Sequence, residues 1–270
     1  MDEVYRGIWV IAYRELLRFV QERARIVSSL AMPLLFLVII GAGFSRLIGE
    51  IAPGVDFLQF VFPGIIAMTV LMNSVFSGLS VVWDREFGFL REVLVAPLSR
   101  TGIVLGKAVG GATVGVLQGL ILLLLAPAIG VRLSFLQVLT IIPLLVLLSL
   151  TLSGLGILIA SRMRSQQAFH LVVQIMVFPL VFLSGIFFPV NNVPFWLEVI
   201  SKINPLTYGV DAIRQVFLSG SIVLGGDAGQ VTTGVTLFGR TVSLAEEVAM
   251  MTAFGALLLL AAAWSFGRQE

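Results

Sequence analysis

Few residues in this sequence have the types and spacing to do chemistry. Cysteine is absent and the single histidine is His170, so disulfides, thiol catalysis and multi-histidine metal sites are excluded. The nearest thing to a phosphate loop is GIVLGKA, residues 102–108. A Walker A motif needs four residues between its glycines, then Lys and Ser or Thr, after a strand. Here three residues intervene, Ala follows the Lys, and the context is a membrane-helix pattern. No nucleophile–base constellation occurs either. What remains is electrostatics and docking. Only 12% of the 270 residues are charged, yet Asp84, Arg85, Glu86, Arg91, Glu92 and Arg100 crowd into WDREFGFLREVLVAPLSR, residues 83–100. A helix over 84–96 places Phe87, Leu90 and Leu94 on one face, with Val93 beside them and the charges around the rest. Pro97 ends it. Such a helix suits docking to a partner; the plainer alternative is a solvated connector.

The elements that would position this loop are membrane helices. The hydrophobic fraction is 58% and mean hydropathy is +1.05, well above the ~45–50% apolar content of soluble domains. A spanning helix needs ~20 apolar residues to cover a core ~30 Å thick. Six charge-poor runs qualify: 26–46, 58–83, 104–127, 136–160, 167–189 and 247–267. The expected fold is an all-α polytopic membrane protein with an interface segment over 1–25 and a transmembrane domain over 26–270. Pro127 and Gly130 beside Arg132 mark the turn between the third and fourth spans. The first apolar run starts too late and runs too long for a cleavable signal peptide, so it reads as a retained anchor. With both termini in the cytoplasm, twelve of the seventeen Lys and Arg residues fall inside and five outside, as the positive-inside rule requires. The net charge of +2 is no nucleic-acid footprint.

Within 1–25, Tyr5, Trp9, Ala12, Leu16 and Phe19 share a helical face suited to the inner membrane surface, leaving Arg14 and Arg18 for a cytosolic partner. Segment 190–245 predicts two short helices dipping into the outer leaflet, with Trp196 and Tyr208 at the interface, followed by a small β-hairpin over 230–244. Glu198 with Lys202 and Asp211 with Arg214 have the spacing of helix-surface pairs. Asn73, Ser74, Ser77, Gln118 and Gln174 are the candidates for a substrate path. No acidic residue or Arg is expected deep in a span, and Lys107 is expected to snorkel to the inner interface. Gly102, Gly106 and Gly110, and then Gly111, Gly115 and Gly119, form two ladders expected to pack within the subunit.

The charged loop and a second, distant block carry a family resemblance. REFGFLREVLVAPLSRTGIVLGK resembles the cytoplasmic loop of the type 2 ABC exporter permeases of the drug-resistance and nodulation branch. Glu86, Gly88, Leu90, Pro97, Gly106 and Lys107 hold its recurring positions. FLSGIFFPVNNVPFWLEVISKINPLTYGVDAIRQ is similar to the family's Leu–Ser–Gly, Pro, Asn–Pro–Leu–Thr–Tyr, Asp–x–x–Arg block, carried by Leu183, Ser184, Gly185, Pro189, residues 204–208, Asp211 and Arg214. The resemblance implies six spans, an N-terminal interface helix, a coupling helix over 84–98 and an outer re-entrant hairpin. It implies that Arg85, Glu86, Phe87, Gly88, Leu90, Arg91, Leu94 and Pro97 grip a separate ATP-binding cassette subunit that carries ATP and Mg. Asn204, Pro205, Tyr208, Asp211 and Arg214 would form an outer gate. Function would require a second permease copy, identical or a sister, in lipid of the cell inner or plasma membrane. The chain itself would bind no cofactor and no metal. Cargo would be amphipathic or lipid-like, a drug, antibiotic or lipid; polysaccharide or glycolipid export and ATP-independent secondary transport are the alternatives.

Overall fold

The structure, a computed structural model, describes residues 2–21, 23–39, 43–44, 49–52, 55–87, 100–130, 133–190, 193–223, 235–237 and 240–267. Helices α1 (Asp2–Gln21) and α2 (Arg23–Ile39) lead to a short antiparallel pair, β1 (Glu50–Ala52) and β2 (Val55–Asp56). Helices α3 (Phe57–Phe76) and α4 (Leu79–Glu86) follow, then α5 (Arg100–Leu123), α6 (Phe135–Arg162) and α7 (Gln166–Phe182). The outer segment holds α8 (Phe195–Ile203), α9 (Pro205–Val223) and a two-residue hairpin, β3 (Thr236–Leu237) with β4 (Arg240–Thr241). Helix α10 (Leu244–Gly267) closes the chain.

Among the described residues, four stretches are long and apolar enough to cross a bilayer: Phe57–Glu86, Thr101–Leu123, Phe135–Arg162 and Leu244–Phe266. Ile26–Ile39 and Gln166–Phe182 are apolar but shorter. The run expected over 167–189 stops as helix at Phe182 because the amides of Leu183 and Ser184 turn back to Pro179 and Val181. Gly185, at φ 77°, then reverses the chain in a conformation that side chains disfavour. The run expected over 104–127 ends at Leu123 and passes through a tight turn, Ala126–Ile129, to Gly130 at φ 84°. The Pro127–Gly130 turn is where the sequence placed it. Ser134 opens α6 with a capping box: its hydroxyl accepts from the Gln137 amide and the Gln137 side chain accepts from its own.

Helices α3, α5 and α6 form the centre, with α1 along α5, α2 against α3, α10 against α6, and α9 over one end of α3 and α6. Inside a bilayer no hydrophobic drive pulls helices together, so close packing must. The two glycine ladders of α5 supply it on two faces. A Cβ on Gly106 or Gly110 would meet α1 at Gly7, Ile8 and Ile11 or at Ala12 and Glu15. A Cβ on Gly111 would meet Ser77 and Ser153, and one on Gly115 would meet Ser74 and Ser149. The tightest crossing is between the α3–α4 junction and α6. There a Cβ on Gly78 would sit 2.3 Å from the Gly156 carbonyl oxygen, and one on Gly156 would sit 2.2 Å from that of Val75. Gly156→Leu should therefore lower the thermal unfolding midpoint of the purified protein in detergent, at a cost of ~1–3 kcal/mol or more. Gly43→Ala, which meets nothing within 4 Å, should leave it unchanged.

Candidate functional site

The glycine ladder that lets α1 lie on α5 also brings four charges together. Lys107 on α5 donates to Asp84 Oδ2 at 2.7 Å and to Ser80 Oγ at 3.0 Å. Glu15 on α1 lies 3.8 Å from Lys107 Nζ. Arg14 donates to Glu15 at 3.2 Å and to Asp84 at 3.3 Å. Lys107 is 2% exposed and Asp84 5%. A lone charge so buried would be very costly; two of each sign, hydrogen-bonded to one another, make it tolerable. Lys107 thus pairs inside the bundle, and the charges meet near the ends of two apolar stretches.

The same cluster corrects the start of the loop. Residue 84 does not begin a new helix. Helix α4 runs through to Glu86 and the Phe87 amide closes on Trp83. Arg85, expected to face a partner, donates to the Met163 carbonyl at 2.6 Å and the Ser161 carbonyl at 3.2 Å, satisfying acceptors that the end of α6 leaves open. Glu86 and Phe87 are exposed, Phe87 by 77%. Gly88, Leu90, Arg91, Leu94 and Pro97 lie outside the described residues.

Helix α1 buries Gly7, Ile11 and Phe19 against the bundle and leaves Tyr5 70% and Trp9 72% exposed. The ladder on α5 selects the small and β-branched face rather than the aromatic one. Arg14 consequently points into the charge cluster, and the Arg18 guanidinium stands 5.7 Å from the centre of the Trp83 ring, within cation–π range.

Between α1, α2, α3, α4 and α5 lies a cavity of about 440 Å³, a size typical of small-molecule sites. Asn73 and Ser77 are on its wall. Gln118 stands behind Asn73, whose amide donates to it and to the Thr69 carbonyl; Gln118 in turn donates to Ser29. Gln174 is not part of this group and lies exposed on α7 beside Leu171 and Ile175.

At the opposite end of the bundle, the expected surface pair on α9 is buried. Arg214, 3% exposed, donates to the carbonyls of Phe60 at 3.1 Å and Gly185 at 2.8 Å. Its guanidinium lies 3.8 Å from the centre of the Phe60 ring. Asp211, also 3% exposed, accepts from the Val235 amide at 2.7 Å. Gln215 bridges Asp211 to Glu247 of α10. Helix α9 has 19 residues, longer than expected, and packs on α3, α6 and α10. Tyr208 is 3% exposed and donates to the Lys202 carbonyl at 2.6 Å; of the two aromatics expected at the outer interface, Trp196 is the exposed one, at 62%. Asn204 breaks α8 from α9, donating to the Leu180 carbonyl and accepting from the Leu206 amide. Pro205 opens α9, where its missing N–H costs nothing. Glu198 and Lys202 do pair along α8. Among the described residues no group of three His, Cys, Asp or Glu could hold a metal.

Comparison with known proteins adds names to this geometry. The profile of the ABC-2 type transporter family matches residues 6–218. The chain is 31% identical over 217 residues to the putative transport permease ycf38 of Cyanophora paradoxa, covering 79% of this chain and 75% of that protein. It is 36% identical over 171 residues to the probable multidrug ABC transporter permease YbhR of Escherichia coli K12, covering 62% of this chain and 45% of that one. It is 28% identical over 202 residues to nodulation protein J of Rhizobium leguminosarum bv. trifolii, covering 74% and 76%.

The charge clusters generate two expectations, both read by thermal unfolding of the purified protein. Lys107→Met should destabilise by ~3–5 kcal/mol, because it takes from the buried Asp84 its nearest counter-charge and leaves only Arg14 at 3.3 Å, whereas adding Asp84→Leu should recover most of the loss. Arg214→Met should be comparably damaging, since it strips the Phe60 and Gly185 carbonyls of their donor.

Proposed function

The chain belongs to the ABC-2 type transporter family, a multi-pass membrane subunit whose ATP is bound by a separate chain, and from that footing we propose that it exports an amphipathic or lipid-like molecule. All six apolar helices cross the membrane, α2 and α7 included, with both termini in the cytoplasm of a cell inner or plasma membrane. Two copies, identical or sister permeases, face each other, and the exposed apolar side of α7 around Gln174 is the surface a second copy would cover. The partner ATPase, holding ATP and Mg, grips the residues after α4. Its closure pushes on that loop, and the buried ion cluster passes the push to α1 and α5. At the other side α8 and α9 act as the outer gate.

The observation that carries this reading is the contrast within four consecutive residues. Asp84 and Arg85 are tied into the bundle, while Glu86 and Phe87 are bare. A handle needs this construction: rigidly rooted, with its tip free. Co-expression with a candidate ATP-binding subunit tests it. The ATPase should co-purify with the wild-type chain, and Glu86→Ala with Leu90→Ala should abolish either that capture or the stimulation of ATP hydrolysis by substrate, with yield and unfolding midpoint unchanged. Equal capture and intact coupling in the double variant would overturn the assignment.

A further inference from the structure

The cavity between α1 and the spans has a polarity of its own. One side is apolar and pliable, with Met32, Met68, Met72 and Phe76 on its wall; methionine and aromatic surfaces accommodate hydrocarbon of varied shape. Met32 on α2 is 60% exposed, so this wall of the cavity reaches the outer surface of the bundle at α2. The other side holds Glu15, Arg18, Ser80 and Trp83. Glu15 is already engaged: it, Arg14, Asp84 and Lys107 sum to zero charge and form ion pairs with one another. Arg18 is different. It lines the cavity and leans on Trp83, and its Nη1 is buried with no hydrogen-bond partner among the described residues. A buried guanidinium nitrogen left unpaired is an unmet demand for an acceptor, and an anion meets it best.

We propose that this cavity, within a single subunit, binds an amphiphile bearing an anionic head group, its head on Arg18 and its tail along the methionine wall, entering sideways from the surrounding leaflet. The proposal rests on the reading of the chain as a transport subunit and adds the class of ligand. The ligand meets the protein before any path between two copies. A transported amphiphile and a resident anionic lipid share this chemistry.

Trp83 makes the site directly observable. A variant retaining it as the single tryptophan (Trp9→Phe, Trp196→Phe, Trp264→Phe), in nanodiscs of zwitterionic lipid, is titrated with a brominated-tail alkyl phosphate and with the same tail on a neutral maltoside head. Saturable quenching by the phosphate probe is expected. Its dissociation constant should rise ~10-fold in Arg18→Gln, the loss of one charge-assisted contact, and binding should also weaken in Val114→Phe, which fills the floor. The neutral probe should not respond to Arg18→Gln. Quenching that grows linearly with probe and is the same in every variant would overturn the site, and equal affinity for the two heads would overturn the anion assignment. Stimulation of partner ATP hydrolysis by the phosphate probe marks a transported ligand, and saturable binding without stimulation marks a resident one; both uphold the site. Because the binding assay uses the chain without an ATPase, its failure is distinguishable from failure of the coupling-loop assignment.

Discussion

Lys107 and Asp84 meet at 2.7 Å on two spans whose other facing residues are largely glycine and serine. The pair is possible only because those small residues let α5 approach α1 on one side and the end of α3 on the other. In turn the pair fixes how the three helices sit. A glycine seam is permissive along its axis: nothing on a smooth surface specifies where one helix stops against the next. A buried ion pair does specify it, since a slip of one turn would separate charges that cannot stand alone at such depth. Arg14 and Glu15 extend the constraint to α1, so the N-terminal helix is held in register with the spans. The exposed end of α4, the cavity wall and the orientation of Arg18 all follow from that register.

The far end of the bundle uses a different solution. Arg214 is held by backbone carbonyls and an aromatic face, and the carbonyl of Gly185 is offered to it by a reversal of the chain that a glycine permits. One guanidinium thereby ties the start of α3 and the turn after α7 to α9. Asp211 and Gln215 carry the tie to Val235 and α10. Charges thus occur at both ends of the spans, and among the described residues the pieces between are joined through small polar contacts such as Asn73 with Gln118.

The helices were legible in the sequence because length and absence of charge are local properties. The glycine ladders were equally visible as packing faces, and so was the Pro127–Gly130 turn. The charge clusters were not. Asp84 reads as part of a charged loop because Arg85 and Glu86 follow it, and its true partner lies 23 residues on. Asp211 and Arg214 have the spacing of a surface pair, but the acceptors of Arg214 lie 154 and 29 residues away and are main-chain atoms, which no side-chain pattern reports. Helix α1 shows the same limit: its aromatic side is conspicuous in the sequence, but the face that packs on α5, with Gly7 and Ile11, becomes visible only once the glycine ladder of α5 is placed against it. Of the polar path candidates, Asn73, Ser77 and Gln118 come together, and Gln174 does not.

The Lys107–Asp84 contact also orders the events of biogenesis. Asp84 leaves the ribosome well before Lys107, so when the helix that ends in Glu86 is threaded into the lipid its carboxylate has only Arg14 of α1, 3.3 Å away in the finished fold, as a counter-ion. It is best kept at the water boundary, where Arg85 and Glu86 beside it also belong, until the next helix arrives. Only then can both ends sink together. Insertion and docking of this hairpin are thereby coupled, and a nascent chain arrested between the two residues would present the translocation machinery with an aspartate still lacking its nearest partner.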